Sequence, residues 1–268
     1  MFIDSHTHLF LPEFNEDREE MIQRALDAGV EKLFLPNIDS STVDAMLNLT
    51  KQFPANCFAT MGLHPCSVKE NFEEELKIVE ENLFGATVSL QGQETRLPTS
   101  TFFAIGEMGL DFYWDKTFVE EQKESFRRQA RWAKQLKLPI IIHSRDAAQA
   151  CIDLVKELKD ENLTGVFHCF GGTVSEAKQI IDLGFYLGIG GVLTFKKSGL
   201  DETLREIDLK NMVLETDSPY LAPVPYRGKR NESSYLRLIA EKLAALKNVA
   251  LEEVGEVTTM NAERLFLI

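Results

Sequence analysis

The stretch FIDSHTHLF, residues 2–10, says more about the fold than any other part of the chain. It opens as a β-rich run and ends in polar residues, with Asp4, His6 and His8 at alternate positions. Side chains two residues apart on a strand lie on one face, so these three should point in the same direction. No glycine-rich turn follows the run, whereas an open doubly wound sheet usually carries one after its first strand.

Seven further β-rich runs follow along the chain. They are KLFLPNI from Lys32, CFATMGLH from Cys57, FFAIGEMGLD from Phe102, PIIIHS from Pro139, TGVFHCF from Thr164, FYLGIGG from Phe185 and MVLETDS from Met212. The segments between them show helical periodicity, as in the apolar stripe Ala147, Ala150, Cys151, Leu154, Val155 and Leu158. Eight alternating strand–helix units in 268 residues favour a (β/α)8 TIM barrel of the α/β class over a doubly wound sheet.

The domain organisation follows from the same alternation of strands and helices. We expect residues 1–268 to form a single barrel domain, because one barrel accounts for nearly the whole length. The segment LEEVGEVTTMNAERLF, residues 251–266, predicts an extra C-terminal helix beyond the eighth unit. The polar, turn-rich segment 84–100 predicts an extended connection after the third helix and no domain boundary.

The bulk composition excludes some classes of protein. The formal charge is −13, from 29 basic and 42 acidic residues, so a nucleic-acid substrate would need a local source of positive charge. No apolar run approaches the roughly 18 residues of a membrane span, and the first residues lack the pattern of a signal peptide. The cysteines, Cys57, Cys66, Cys151 and Cys169, have no paired spacing and predict free thiols in a cytoplasmic protein.

The histidines are placed in a way that chance does not explain. Each of the five lies at or just after the apolar part of a predicted strand, and they are His6, His8, His64, His143 and His168. The active sites of (β/α)8 barrels lie at the carboxyl ends of the strands, where these side chains would converge. Imidazoles that converge are suited to a divalent metal ion.

Carboxylates occur at two more strand ends. Glu107 follows the apolar run 102–105, where an unpaired charge would be costly; the alternative is that it turns outward into the next loop. Glu215 and Asp217 are two residues apart, and two like charges so close need a cation. Either an ion or an arginine such as Arg145 would supply it. Asp4 is either a support for a ligating histidine or a buried, hydrogen-bonded carboxylate.

Six ligand-type residues are more than one catalytic zinc ion holds. Such an ion usually has about three protein ligands and a water, whereas six suit two ions about 3.5–4 Å apart with a bridging carboxylate. Glu107 is the candidate bridge, because its strand lies between the two histidine groups. The ligand types admit zinc or manganese, and magnesium where substrate and water complete its shell.

Candidate substrate contacts follow the eighth and fourth strands. Arg227, Lys229 and Arg230 form a basic turn after the eighth strand, where barrels often bind phosphate; a solvated turn is the alternative for Lys229 and Arg230. The aromatic residues 112–114 follow the fourth strand and could stack on a nucleic-acid base or pack within their loop.

The sequence resembles the TatD family of metal-dependent deoxyribonucleases, in the amidohydrolase-like barrel superfamily. The matching stretches span the chain in order: FIDSHTHL, GLHP, IGEMGLDFYWD, IIHSRDA, FHCFGG, LETDSPYLAP and RGKRNE. It departs from the family in having Ser233 where a proline is usual, Tyr226 where histidine is frequent, and a longer segment 84–100. These departures touch substrate preference and none of the candidate ligands.

The resemblance implies a role for each candidate residue. One ion would be held by His6, His8 and Asp217, and a second by His143 and His168, with Glu107 bridging them. His64 and Arg145 would contact the substrate phosphate, and Glu215 and Asp217 would be the candidates for general acid and base. Apart from the resemblance, Arg227 of the basic turn is a further candidate for clamping the phosphate. The implied reaction is hydrolysis of DNA from a 3′ end, with single strands the expected substrate and no membrane or protein partner.

Two other functions stay open on the sequence alone. A metal-dependent amidohydrolase, esterase or lactonase would use the same barrel, but such enzymes often bridge their ions with a carboxylated lysine, and the fourth strand end has none. A non-catalytic metal-binding scaffold is less favoured, because structural zinc sites are closed and often rich in cysteine.

Overall fold

The computed structural model describes residues 1–85, 87–90, 93–96 and 101–268. These residues form ten strands: β1 (Phe2–Asp4), β2 (Val30–Pro36), β3 (Cys57–Thr60), β4 (Thr87–Leu90), β5 (Gln93–Arg96), β6 (Ile105–Asp111), β7 (Ile140–Arg145), β8 (Gly165–Phe167), β9 (Tyr186–Ile189) and β10 (Met212–Leu214). They also form nine α-helices: α1 (Arg18–Asp27), α2 (Val43–Gln52), α3 (Phe72–Phe84), α4 (Val119–Leu136), α5 (Ala148–Leu158), α6 (Val174–Asp182), α7 (Leu200–Arg205), α8 (Leu236–Lys247) and α9 (Leu251–Phe266).

Eight of the strands are those expected from the sequence, and they pair in parallel. Strands β1, β2 and β3 form one arc, and β6 to β10 form the other in the order of the chain. Parallel bridges between Met61 and Ile105 and between Thr7 and Ser218 join the two arcs. The backbone of Ser5 also donates to the carbonyl of Leu214 at 3.0 Å. The prediction of a (β/α)8 barrel is confirmed.

The helices pack on the barrel through the faces that periodicity predicts. In α5 the buried residues are Cys151, Ile152, Leu154 and Val155, and all of them except Ile152 belong to the predicted stripe. Helices α1 and α6 are each followed by a glycine with positive φ, Gly29 at 83° and Gly184 at 75°, which ends the helix without steric cost.

The C-terminal helix α9 covers the amino ends of the barrel strands. Its Phe266 stacks on Phe34 inside the barrel, with ring centroids 3.7 Å apart. Ala262 and Leu265 join the same apolar cluster as Ile3, at the start of the first strand. The predicted extra helix is therefore present, and it seals the end of the barrel away from the carboxyl ends of the strands.

The segment after α3 differs from the expectation. Strands β4 and β5 pair antiparallel, with Thr87 opposite Arg96, so this part of the predicted extended connection is a hairpin. Periodicity does not distinguish such strands from a loop, because each is only four residues long and its alternation of apolar and polar residues is weak. The remaining positions of that prediction, 86, 91, 92 and 97–100, lie outside the described residues.

The structure bears on the predictions about the cysteines and about a membrane span. All four cysteines are free thiols. None of the helices in the described part of the chain has the length and apolar character needed to cross a membrane. The cytoplasmic location stays a prediction.

Candidate metal centre

Glu107 is the point on which the histidines of the chain converge. Its side chain is 2% exposed, and all five imidazoles lie within 3.5 Å of its carboxylate oxygens. The nitrogen–oxygen distances are 3.1 Å for His6, 3.5 Å for His8, 3.3 Å for His64, 2.9 Å for His143 and 3.1 Å for His168. Glu107 therefore points into the barrel, and the alternative of an outward side chain is wrong.

The two oxygens of Glu107 face different histidines. Oε2 lies against His6 and His8, whereas Oε1 lies against His64, His143 and His168. Gly109, two residues further along β6, makes the close approach of β7 possible, because a Cβ there would overlap the carbonyl of His143. One carboxylate thus separates two groups of imidazoles, as a bridging ligand must.

The first group has the dimensions of a metal site. The Nε2 atoms of His6 and His8 are 3.2 Å apart, and Asp217 Oδ1 lies 3.7 Å from the first and 3.6 Å from the second. Ligand atoms that surround one ion tetrahedrally at about 2.1 Å are about 3.4 Å apart. These three residues are the trio that the resemblance implies for one ion, and their atoms lie close enough to share it.

The second group is arranged less simply than the sequence suggests. His143 Nδ1 and His168 Nε2 both lie against Glu107 Oε1, but His143 clusters with His64, whereas His168 clusters with His6 and Glu215. The His168 ring stacks on His6 with centroids 3.8 Å apart. His143 and His168, the pair expected for the second ion, therefore both contact Glu107, but each also belongs to a different neighbouring cluster.

In each imidazole ring, the hydrogen bond made by the nitrogen that faces away from the centre decides whether the other nitrogen has a lone pair for a cation. His8 Nδ1 lies 3.1 Å from the carbonyl of Pro36, which can only accept, so in the neutral ring Nδ1 carries the proton and Nε2 has the lone pair. His143 Nε2 lies 2.9 Å from Asp111 Oδ2, so in the neutral ring Nε2 carries the proton and the lone pair is on Nδ1, which faces Glu107. Both rings can therefore present a lone pair to the centre, where a cation would replace the second proton that the neighbouring carboxylates favour.

Asp111 is a site residue that the sequence analysis did not single out. It is 1% exposed, and its other oxygen accepts the backbone N–H groups of Tyr113 and Trp114, both at 3.0 Å. A signal was available, because Asp111 lies four residues after Glu107 on the same strand and so on the same face.

His64 has the opposite tautomer from its neighbours. Its Nδ1 accepts the backbone N–H of Cys66 at 3.0 Å, so in the neutral ring the proton lies on Nε2. Burial lowers the pKa of His64, which keeps the ring neutral. The Nε2–H group points towards Glu107 Oε1 at 3.3 Å, and it can donate a hydrogen bond but cannot bind a cation.

Glu215 lies beneath the centre. It is fully buried, 3.3 Å from His168 Nδ1, and it accepts the backbone N–H of Cys169. Gly188 on β9 makes room for it, since a Cβ there would overlap the Glu215 carboxylate. Neither Glu215 nor Asp217 pairs with Arg145 within the described residues, so that alternative is wrong.

The turn that carries Asp217 is held by residues from distant parts of the chain. Asp217 adopts φ 57°, a left-handed conformation that aspartate tolerates better than most residues. Asp4 accepts Thr216 N–H at 2.9 Å and its hydroxyl at 2.6 Å, and Asn231 donates to the carbonyl of Thr216 at 2.7 Å. Asp4 is thus a buried, hydrogen-bonded carboxylate that connects β1 to the turn after β10.

The charges at the centre fit a divalent cation. Burial alone would raise the pKa of Glu107, but the surrounding imidazoles hold it well below its usual range. Burial would lower the pKa of His8, but Asp217 and Glu107 raise it to about 9. Burial lowers the pKa of His6, which leaves its lone pair free. Carboxylates that attract protons this strongly onto buried imidazoles offer the same negative charge to a metal ion.

The centre opens into a cavity of about 770 Å³. Arg145 and Arg227 line it, each stacked on an aromatic ring: Arg145 lies 4.1 Å from the centroid of Tyr113, and Arg227 lies 3.7 Å from that of Phe195. Lys229 also lines the cavity. Arg230 does not, because both of its terminal nitrogens bind Asp17, at 2.7 and 2.8 Å.

Neither cysteine beside a histidine has the character of a ligand. Burial raises the pKa of Cys66 and of Cys169 to about 12, so both thiols stay protonated near neutral pH. A metal ligand or nucleophile would need the thiolate form.

Fold and centre together define a metal-dependent hydrolase built on a (β/α)8 barrel. A family described as TatD related DNase matches residues 3–267. The chain belongs to this TatD family.

The relatives agree with this assignment. The chain is 38% identical over 269 residues to YabD of Bacillus subtilis (strain 168), an uncharacterized metal-dependent hydrolase, and the match covers 100% of both chains. It is 30% identical over 272 residues to the 3′-5′ ssDNA/RNA exonuclease TatD of Yersinia pseudotuberculosis, covering 98% of each. The crystal structure of YjjV, a TatD homolog from Escherichia coli K12, superposes with a TM-score of 0.89 at 26% identity, covering 100% of this chain and 98% of that one.

Proposed function

We propose that this protein is a two-ion nuclease that hydrolyses phosphodiester bonds at the 3′ ends of single-stranded DNA. The observation that carries the proposal is the position of Glu107, whose two oxygens face separate groups of imidazoles at the base of an open cavity. A carboxylate in this position can bridge two ions, and two ions suit the displacement at a phosphodiester.

The residues present define how the ions would be held. His6, His8 and Asp217 would hold one ion, and His143 and His168 the other, with Glu107 shared. The imidazole-rich donor set favours zinc or manganese over magnesium. When bound, the ions would supply a hydroxide near neutral pH and polarise the phosphoryl oxygens.

The surrounding side chains would position the substrate and move the proton. Asp217 is the ligand carboxylate most open to the cavity, with 14% of its side chain exposed, and it is placed to take a proton from the attacking water. His64 would donate its Nε2–H to a phosphoryl oxygen. Arg145 has no carboxylate partner within the described residues, so its guanidinium is free to bind the phosphate.

Glu215 takes a different role from the one that the resemblance implies. It lines neither described cavity at the centre, so we propose that it positions His168 and does not exchange protons with the substrate.

The substrate class rests on the cavity rim and on one relative. Arg227 and Lys229 lie at the mouth beside Tyr220 and Trp114, which are 49% and 67% exposed. Cations beside exposed aromatic rings suit the phosphates and bases of a single strand. The Yersinia relative is named for ssDNA and RNA, so RNA belongs in the same test.

The proposal is tested with end-labelled single-stranded DNA and RNA after chelation and addition of zinc, manganese or magnesium. We expect metal-dependent release of mononucleotides from the 3′ end. Glu107→Ala should abolish hydrolysis with the fold near intact, and Glu107→Gln should lower turnover by more than the roughly 100-fold that loss of a residue behind a ligand can cost. Wild-type turnover in either variant would overturn the bridging role.

The alternative reaction is hydrolysis of an ester, amide or lactone on the same barrel. Glu107 occupies the bridging position. Among the described residues that line the cavity, the one lysine is Lys229, which lies at the rim. A panel of esters and lactones, assayed with the same metals, separates the two reactions. Faster turnover on that panel than on DNA would favour the alternative.

A further inference from the structure

Two cavities meet at the candidate metal centre. The first is the cavity of about 770 Å³ already described, and the second, of about 600 Å³, lies among residues 144–150, residues 168–172 and Val192. The residues common to both are His143, Arg145, His168, Asp217 and Leu221. A phosphate bound at the centre would therefore have one cavity on each side.

The two cavities differ in charge. The first has Arg227 and Lys229 at its rim in addition to the shared Arg145, and its own carboxylates, Glu107 and Asp111, lie against His143. The second has Asp146 and Glu176, and Arg145 is the only lysine or arginine among the described residues that line it. Helix α5 begins at its wall, but the helix end carries only about half a positive charge against two full negative charges.

The second cavity combines apolar walls with a few polar groups. Phe112, Phe170 and Val192 give it apolar walls, and Ser144 and Gln149 add polar groups. Its volume lies within the range of about 300–1,000 Å³ usual for small-molecule sites. An apolar wall with a few polar groups suits a base and a sugar.

The two ends of a cleaved strand carry different charges. A 3′-terminal nucleotide has the scissile phosphate on its 5′ oxygen and otherwise consists of a base and a sugar with a free hydroxyl. The rest of the strand has a negative phosphate at every nucleotide. We propose that the second cavity binds the terminal nucleoside and that the cationic rim of the first binds the remaining strand. This assignment rests on the proposed nuclease function and adds the direction in which the substrate lies.

The assignment has two consequences. The enzyme removes one nucleotide at a time, because the second cavity has room for a nucleoside and its described lining offers no lysine or arginine besides the shared Arg145 for a further phosphate. It also discriminates against a 3′-phosphorylated end, because that phosphate would face Asp146 and Glu176.

The first test compares two small diesters. Water attacks phosphorus and p-nitrophenolate leaves, giving thymidine 5′-phosphate from thymidine 5′-(p-nitrophenyl phosphate), and methyl phosphate from methyl p-nitrophenyl phosphate. Val192→Trp fills the second cavity, so the ratio of kcat/KM for the thymidine diester over the methyl diester should fall by about tenfold or more. Val224→Trp, on a neighbouring loop outside both cavities and 44% exposed, should keep the wild-type ratio.

The second test does not depend on filling the cavity. Oligonucleotides ending in a 3′ phosphate should be cut about tenfold more slowly than those ending in a 3′ hydroxyl. Asp146→Asn with Glu176→Gln should bring the two rates together. Asparagine tolerates the φ of 53° at position 146, and glutamine can keep the capping contact with Thr173, so the fold should be retained.

The outcomes separate the two proposals. Equal cutting of both ends by the wild type, or an unchanged diester ratio in Val192→Trp, would overturn the cavity assignment while leaving the nuclease function standing. Failure of the wild type to hydrolyse any diester or oligonucleotide with any of the metals would overturn the nuclease function, and the cavity assignment with it.

Discussion

At the scale of single residues, the histidines show how one side chain type takes several roles. In their neutral form, His8 and His143 direct a lone pair at the centre because a carbonyl or a carboxylate accepts the proton of the other nitrogen. His64 presents an N–H group because a backbone amide donates to its other nitrogen. The atom behind each ring therefore decides whether the ring binds a cation or donates a hydrogen bond.

Asp111→Asn tests this control of the tautomer. The new amide nitrogen cannot accept from His143 Nε2, so the ring should move its proton to Nδ1 and lose the lone pair that faces Glu107. The Oδ1 contacts with Tyr113 and Trp114 can remain. We expect metal affinity, measured by titration of the chelated protein, to fall about 10- to 100-fold.

The matched control is Asp115→Asn in the same loop. Asp115 binds Lys69 at 2.8 Å on the surface, 39% exposed, so its neutralisation should leave metal affinity unchanged. Equal affinity in the Asp111 variant and the wild type would show that Asp111 does not orient His143.

At the scale of elements, an ion-pair network attaches α1 to the loop that follows β10. Arg24 donates to Glu232 at 2.6 and 2.9 Å and to Asp17 at 2.9 Å, and Arg230 binds Asp17 as well. Next to Glu232, the buried Asn231 binds the backbone of the Asp217 turn. The basic turn predicted as a phosphate patch is thus divided, with Arg230 structural and Arg227 open to the cavity.

Arg24→Leu should destabilise the protein in a pH-dependent way. Burial would raise the pKa of Glu232, but hydrogen bonds from Arg24 and Ser234 lower it below its usual value. Because the folded pKa is depressed, the stabilisation is present above the unfolded pKa of about 4.3 and is lost as pH falls through the folded value. We expect a loss of about 1 kcal/mol at pH 7, measured as a lower Tm.

The difference in Tm between Arg24→Leu and the wild type should shrink as pH falls below about 4. Arg237→Leu is the control, since within the described residues Arg237 pairs only with the exposed Glu241 on its own helix, and it should cost less than about 0.5 kcal/mol. A Tm difference that stays constant from pH 7 to pH 3 would argue against the ion-pair explanation.

Helix α9 stabilises the barrel from its amino end, and Phe266→Ala tests that role. Phe266 is 2% exposed and stacks on Phe34, so truncation should leave a cavity between helix and barrel. The expected loss is about 3–5 kcal/mol in the free energy of unfolding, measured with urea. Met260→Ala on the same helix, 40% exposed, should change it by no more than about 0.5 kcal/mol; similar losses in both variants would contradict the sealing role.

At the scale of the whole molecule, an acidic protein would bind an acidic polymer through a small cationic rim. The formal charge is −13, yet Arg145, Arg227 and Lys229 line the cavity above the centre. Each phosphate contact on a single strand contributes about 0.7 to the slope of log affinity against log salt concentration.

Arg227→Gln with Lys229→Gln should make the salt dependence of kcat/KM on single-stranded DNA shallower by about 1.4, which is two contacts of about 0.7 each. Lys210→Gln, at an exposed position before β10, should leave the slope unchanged. If the double variant and the wild type had the same slope, the rim would not contact the phosphates of the strand.

By itself, the sequence determined the eight strands, the C-terminal helix, the family and the six candidate ligands. Strands and amphipathic helices follow local periodicity, and polar residues after buried runs mark the strand ends where a barrel collects them. The position of Glu107 among five histidines was partly foreseeable for the same reason.

Only the tertiary structure decided the finer roles within the site. The tautomers of His8, His64 and His143 depend on single atoms contributed by other segments, and Arg230 turns away from the cavity because Asp17 lies beside it. The second cavity, between the loops after β7, β8 and β9, likewise exists only once those loops are packed together. Such contacts join residues far apart in the chain, so no local pattern encodes them.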